Sequence, residues 1–221
     1  MEKFPFDSAI HLKAPPAIGK NKERVLELLN LMKNGDKFDE LWCTEHTITL
    51  FLIARNYDVQ AAYTMMMFAG SWRNMRQAHL VELQPNWVTK MSKESETGKI
   101  WCPGSDQWGR PVVIFDNTVQ NTNSVDDQML FLAWCLEFAI KDMPEHTDKY
   151  VVFMHLRDFS FFNTPPFAST KETAQMLCNC FPERAGHIVL YQPPYIFEAF
   201  YNSIQVGNGR VKNIYCLRSV D

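Results

Sequence analysis

Three short apolar runs constrain this chain most: Val112-Val113-Ile114-Phe115, Tyr150 to Leu156 broken only by His155, and Ile188-Val189-Leu190-Tyr191. Each is too short for a helix, rich in β-branched and aromatic residues, and bounded by turn formers, which reads as a buried strand. Stretches of helical length separate them. Ser124 caps a long helix to Met143 with Met129, Leu132, Ala133, Leu136 and Ile140 on one face, and Thr170 to Cys180 is a second helix. Strands joined through helices need crossover connections, which give a largely parallel sheet. The expected fold class is α/β: an N-terminal helical subdomain, then a largely parallel sheet flanked by helices.

The helical part precedes the sheet. Lys22 to Lys33 places Val25, Leu28, Leu29 and Met32 on one face, and Asn34-Gly35-Asp36 stops it. Thr44 caps a helix to about Arg55 with Ile48, Phe51 and Leu52 inward. Asp58 caps another to about Met75 with Val59, Ala62, Met66, Ala69 and Trp72 inward. Residues 1–20 form a loose proline-marked arm, 21–76 the helical subdomain, 77–98 a connector, and 99–221 the main domain. Within the last, Asp106 to Pro111 is a tight turn feeding a strand, and Ile214 to Leu217 is the final strand. After Ile188–Tyr191, Pro193-Pro194 ends the strand and opens a short helix with Ile196, Phe197, Phe200, Tyr201 and Ile204 apolar. That helix is either core or the wall of a greasy cavity.

Composition and motifs exclude several functions. The chain has 221 residues, 46% hydrophobic and 21% charged, with a net charge of −3, which offers no broad basic surface for nucleic acid. The six cysteines form no C-x-x-C pair, and the six histidines do not pair at ligand spacing, so neither a metal nor another cofactor is expected. His155 and His187 adjoin strand residues and read as satisfied structural histidines. No phosphate-binding loop, nucleophile elbow, zinc-protease or dinucleotide motif occurs, and the chain is not expected to be an enzyme. The N-terminus lacks the apolar core of a secretory signal. The longest apolar run, Met129 to Ile140, contains Glu137 and falls short of the about twenty residues that span a bilayer. A cytoplasmic protein with peripheral membrane association is expected.

Four separated segments carry a resemblance. Phe51-Leu52-Ile53-Ala54-Arg55-Asn56-Tyr57-Asp58-Val59, Ser71-Trp72-Arg73, Asp106-Gln107-Trp108-Gly109-Arg110-Pro111 and Phe181-Pro182-Glu183-Arg184-Ala185-Gly186 stand in the order seen in CRAL-TRIO (Sec14-like) lipid-binding domains. The resemblance implies an apolar cavity that holds one lipophilic molecule beneath a mobile helix. It implies exchange of that molecule between membranes by a monomer touching the membrane surface transiently; the alternative readings are a phosphoinositide-binding signalling or interaction module without transfer, and a lipid-processing enzyme. The aromatic-rich second half of the chain, Phe153 included, agrees with such a cavity. In phosphatidylinositol-binding members the resemblance places the headgroup on positions matching Arg55 and Glu183 and on a lysine that falls at Asn213, with Lys212 one position away. Two strand hydroxyls of that subgroup fall at Tyr150 and Val152. Arg55 and Glu183 read equally as a salt bridge between the two parts of the chain. The ligand is phosphatidylinositol, another phospholipid, a sterol or an isoprenoid. The gate is Ile196, Phe197, Phe200, Tyr201 and Ile204, hinged at Gly207 and Gly209. Family members continue with further helix and strand where this chain has only Arg218 to Asp221, so its C-terminal end is expected to be short.

Overall fold

The computed structural model describes residues 12–76, 86–157, 167–193 and 214–217. Three helices come first: α1 (Lys20–Lys33), α2 (Glu45–Ala54) and α3 (Val59–Arg76). Val25, Leu28 and Met32 of α1 are buried, the stripe expected from their spacing. Thr44 caps α2 by accepting a hydrogen bond from the Thr47 backbone N–H at 3.2 Å, and Asp58 accepts from the Ala61 N–H at 2.9 Å at the head of α3. Asn56 and Tyr57 both take positive φ, which makes the corner between α2 and α3 tight.

The segment expected to be a plain connector contains a helix, α4 (Trp87–Ser95). It escapes periodicity because it buries only Met91 and Glu94, one of them charged. Glu94 is buried because Lys99 lies 2.5 Å away and Thr122 donates to it at 3.0 Å. A first strand, β1 (Ile100–Ser105), pairs antiparallel with β2 (Pro111–Asp116). The turn between them is built by Asp106. Its Oδ1 accepts from the backbone N–H groups of Trp108 and Arg110, both at 2.9 Å, and its Oδ2 takes the Arg110 guanidinium at 2.6 Å. Gly109 supplies the positive φ that this turn needs.

The remaining elements alternate: α5 (Val125–Lys141), β3 (Tyr150–His155), α6 (Phe167–Asn179), β4 (Ala185–Tyr191) and β5 (Ile214–Leu217). The sheet runs β1-β2-β3-β4-β5, parallel from β2 onward. Successive crossovers that advance in one direction with one hand put their helices on one face. The packing shows this. Val113, Phe115, Tyr150, Val152, Met154, Ile188 and Leu190 join one apolar core with Met129, Leu132 and Leu136 of α5, Met176 of α6, and the buried faces of α1, α2 and α3. Arg73 of α3 ties the helical part to α5, donating to Glu137 at 2.6 Å while lying over the Trp42 ring.

Candidate ligand-binding face

Side chains alternate across a sheet, so the strand register fixes what the opposite face displays. Three rows run across it. Val112, Val151 and His187 are paired in the first. Trp101, Ile114, Phe153, Val189 and Tyr215 form the second. Asp116, His155, Tyr191 and Leu217 form the third, at the C-terminal ends of the parallel strands. None of these residues belongs to either apolar cluster of the described residues. The first two rows are nonetheless mainly apolar, and Val151 and Val189 are buried. Phe153 is half-buried and stacks on Tyr191, with centroids 5.9 Å apart. Trp101, at the β1 edge, is 48% exposed.

The third row is polar. His155 Nδ1 lies 3.2 Å from Asp116 Oδ1, and its ring stacks on Tyr191 at 5.3 Å and 16°. Partial burial alone would raise the Asp116 pKa, but hydrogen bonds from Thr118 and His155 outweigh it and hold the carboxyl below its ordinary value. In the first row, burial pushes the His187 imidazole below its usual range, with Arg110 adding repulsion.

A second polar locus lies at the N-terminal ends of β3 and β4. Gly186 is there because of crowding: a Cβ would stand 3.1 Å from Lys149 Cβ and 3.3 Å from Arg110 Nη1. Two of the sequence motifs thus meet at one glycine. Arg184 donates to the Asp148 carbonyl at 3.1 Å, and Lys149 Nζ donates to the Glu183 carbonyl. Asp148, itself buried, accepts from the Ala14 N–H at 2.8 Å and lies 3.4 Å from His46 Nε2.

The sequence-derived site residues fall in different places. Phe153 lies on the face opposite α5 and α6. Tyr150 lies on the helix-covered one, fully buried in the core, and burial raises its pKa. Arg55 reaches the end of α6, donating to Asn179 Oδ1 at 3.4 Å and to the Ala54 carbonyl at 3.1 Å, and makes no ion pair with Glu183. Glu183 occupies a positive-φ corner four residues beyond Asn179. Lys212 and the gate residues Ile196, Phe197, Phe200, Tyr201 and Ile204 lie outside the described residues, as do Gly207 and Gly209. Asp116 and His155 had a weak signal in the sequence. His155 is the polar break in an apolar strand, and Asp116 ends the neighbouring strand.

Among the described residues, no group of three or more His, Cys, Asp or Glu is placed to hold a metal ion. Burial raises the thiols of Cys43, Cys102, Cys135, Cys178 and Cys180, the last to about 12, so none is a ready thiolate. Among the same residues no helix is long and apolar enough to cross a membrane.

Residues 95–207, just over half of the chain, match the CRAL/TRIO domain. The chain belongs to the CRAL/TRIO family. Over 195 residues it is 25% identical to a CRAL-TRIO domain-containing protein of Schizosaccharomyces pombe, covering 88% of this chain and 18% of that protein. Over 191 residues it is 24% identical to the phosphatidylinositol transfer protein PDR17 of Saccharomyces cerevisiae, covering 79% of this chain and 54% of PDR17. The chain therefore spans about half or less of the length of these relatives. The crystal structure of Sfh5 superimposes with a TM-score of 0.57 at 11% identity, covering 90% of this chain and 82% of that one, a likeness of fold. CRAL/TRIO membership and the mixed, mostly parallel sheet flanked by helices agree with what the four motifs imply.

Proposed function

We propose that this CRAL/TRIO protein binds one lipophilic molecule against the sheet face opposite α5 and α6 and exchanges it between membranes. The observation that carries the reading is the asymmetry of the sheet. Both faces are apolar, yet the described helices supply a core to only one of them. Any apolar area of that second face that meets water costs about 25 cal/mol per Å². A lipid chain removes that cost and gains as much as it loses on leaving the bilayer, so exchange needs no fuel. Membrane contact is transient in this account, and the protein works as a monomer without chemical turnover of the ligand.

The name of PDR17 favours a phospholipid, with phosphatidylinositol as one member of the class. For that headgroup Arg55, Glu183 and Lys212 remain the proposed contacts, supported by the matching motifs and by the basic surroundings of the β4 corner. The test is transfer of fluorescent phosphatidylcholine and phosphatidylinositol between donor and acceptor vesicles. Transfer above the spontaneous rate, reduced at least tenfold by Ile114→Asp, is expected. A rate unaffected by the protein would refute the reading, and hydrolysed lipid would favour an enzyme instead.

A further inference from the structure

We infer that Asp116 and His155 form a polar anchor that accepts a hydrogen bond from the hydroxyl of a lipophilic alcohol, an inference that rests on the sheet face being the ligand surface.

The pair is held from several sides. Asp116 accepts from the Thr118 backbone N–H at 2.9 Å and from the Thr118 hydroxyl at 2.6 Å, which fixes its carboxylate. The His155 ring is pinned at its edge by Asp116 and on its plane by Tyr191. A carboxylate only accepts hydrogen bonds, so the proton between the two sits on His155 Nδ1. With Nδ1–H directed at the carboxylate, the acceptor position of the neutral tautomer is Nε2, and no described residue donates to it. Stability gives no reason for so much orientation, because the His155 and Asp116 side chains are 25% and 29% exposed, and pairs that accessible contribute little.

The location sets the ligand class. Along the same strands, His155 follows Phe153, and Asp116 follows Ile114, each two residues on and therefore on the same face. A molecule laid along the sheet with its apolar body on Ile114, Phe153 and Val189 brings its end to the imidazole at the carboxyl ends of the strands, where open α/β sheets characteristically bind ligands. A fixed acceptor selects an O–H. It gives nothing to the corresponding ether or hydrocarbon, which would leave Nε2 desolvated and unpaired.

The test is fluorescence binding of pyrenedecanol, its methyl ether and pyrenedecanoic acid, each presented from cyclodextrin at about pH 8, above the ordinary imidazole range. The full chain is expected to bind the alcohol about five- to tenfold more tightly than the ether, the span of one hydrogen bond. His155→Leu should bind alcohol and ether alike, at the wild-type ether affinity. Asp116→Ala, which releases the ring, should narrow the difference and serves if the leucine variant does not fold. Equal wild-type affinity for alcohol and ether, or discrimination that persists in a folded His155→Leu, would overturn the anchor while leaving the sheet face as the ligand surface. Preference for the acid would also overturn it, because it would assign a cationic ring. Wild-type protein that binds none of the probes would remove the ligand surface itself, and the anchor with it.

Discussion

Tyr150 carries a hydroxyl into the core with no hydrogen-bond partner among the described residues. An unpartnered buried hydroxyl is a cost rather than a contact. Tyr150→Phe should therefore leave stability unchanged or raise it by up to about 1 kcal/mol, read as the urea midpoint. Lipid binding should also be unchanged, since the side chain lies under α5 and α6 and away from the proposed ligand surface. Loss of binding with stability intact would restore the headgroup role that the family resemblance gave it. A second residue-scale effect is titration. Burial, reinforced by the charge of Arg184, holds the His46 pKa below its ordinary value despite Asp148, and burial does the same at His187. The unfolded chain then binds more protons than the folded one just below the ordinary histidine pKa. Stability should be full above about pH 6.5 and decline as pH falls below it. His46→Gln should flatten part of that slope in urea titrations between about pH 5 and pH 7, and an unchanged slope would show that His46 is not a source of it. Single residues were the least legible scale in the sequence. Tyr150 and Phe153 stand in one apolar run, and only the register, with α5 and α6 on one side, separates a residue packed under those helices from one on the opposite face.

At the scale of elements, α4 depends on a contact that no local pattern announces. Lys99, Glu94 and Thr122 form a buried network, with Lys99 2.6 Å from the Thr122 hydroxyl and Gln128 donating to the Thr122 carbonyl at 2.7 Å. Removing one charge strands the other without solvent. Glu94→Ala should cost about 3–5 kcal/mol in thermal or urea unfolding, whereas the double replacement Glu94→Leu with Lys99→Met should recover most of it. Equal losses in the single and double variants would mean that packing, not the stranded charge, sets the effect. Helices α2, α3 and α5 were legible because Thr44, Asp58 and Ser124 each mark a start and the apolar stripes repeat, and α1 was legible from its stripe of Val25, Leu28 and Met32 alone. By contrast, α4 has a left-handed Asn86 at its head and a charge in its buried face. The proline-led aromatic segment from Ile196 to Ile204 remains an expectation from sequence. If it gates the ligand surface, Phe197→Asp should abolish lipid loading, because an unpaired buried charge costs several kcal/mol. Folded Phe197→Asp protein that still loads lipid would assign the segment to ordinary core.

For the whole molecule, the order of strands explains most of the account. Crossovers that all advance one way place α5 and α6 together, and the helical subdomain adds to that same side through α3. This much followed from the alternation of strand and helix signals in the chain. The assignment of rows to faces did not, because it needs the register, and the register reveals that the second apolar face lies outside both clusters. Its middle row, from Trp101 to Tyr215, is the proposed bed for one lipophilic molecule. Native mass spectrometry of the purified chain, beside a folded Phe153→Asp variant, tests that claim most directly. The account predicts a wild-type species heavier than the bare chain by the mass of one intact lipid, and a variant of matching thermal stability that carries none. A wild-type chain found only at its own mass after incubation with lipid vesicles, or a variant that retains the lipid, would contradict it.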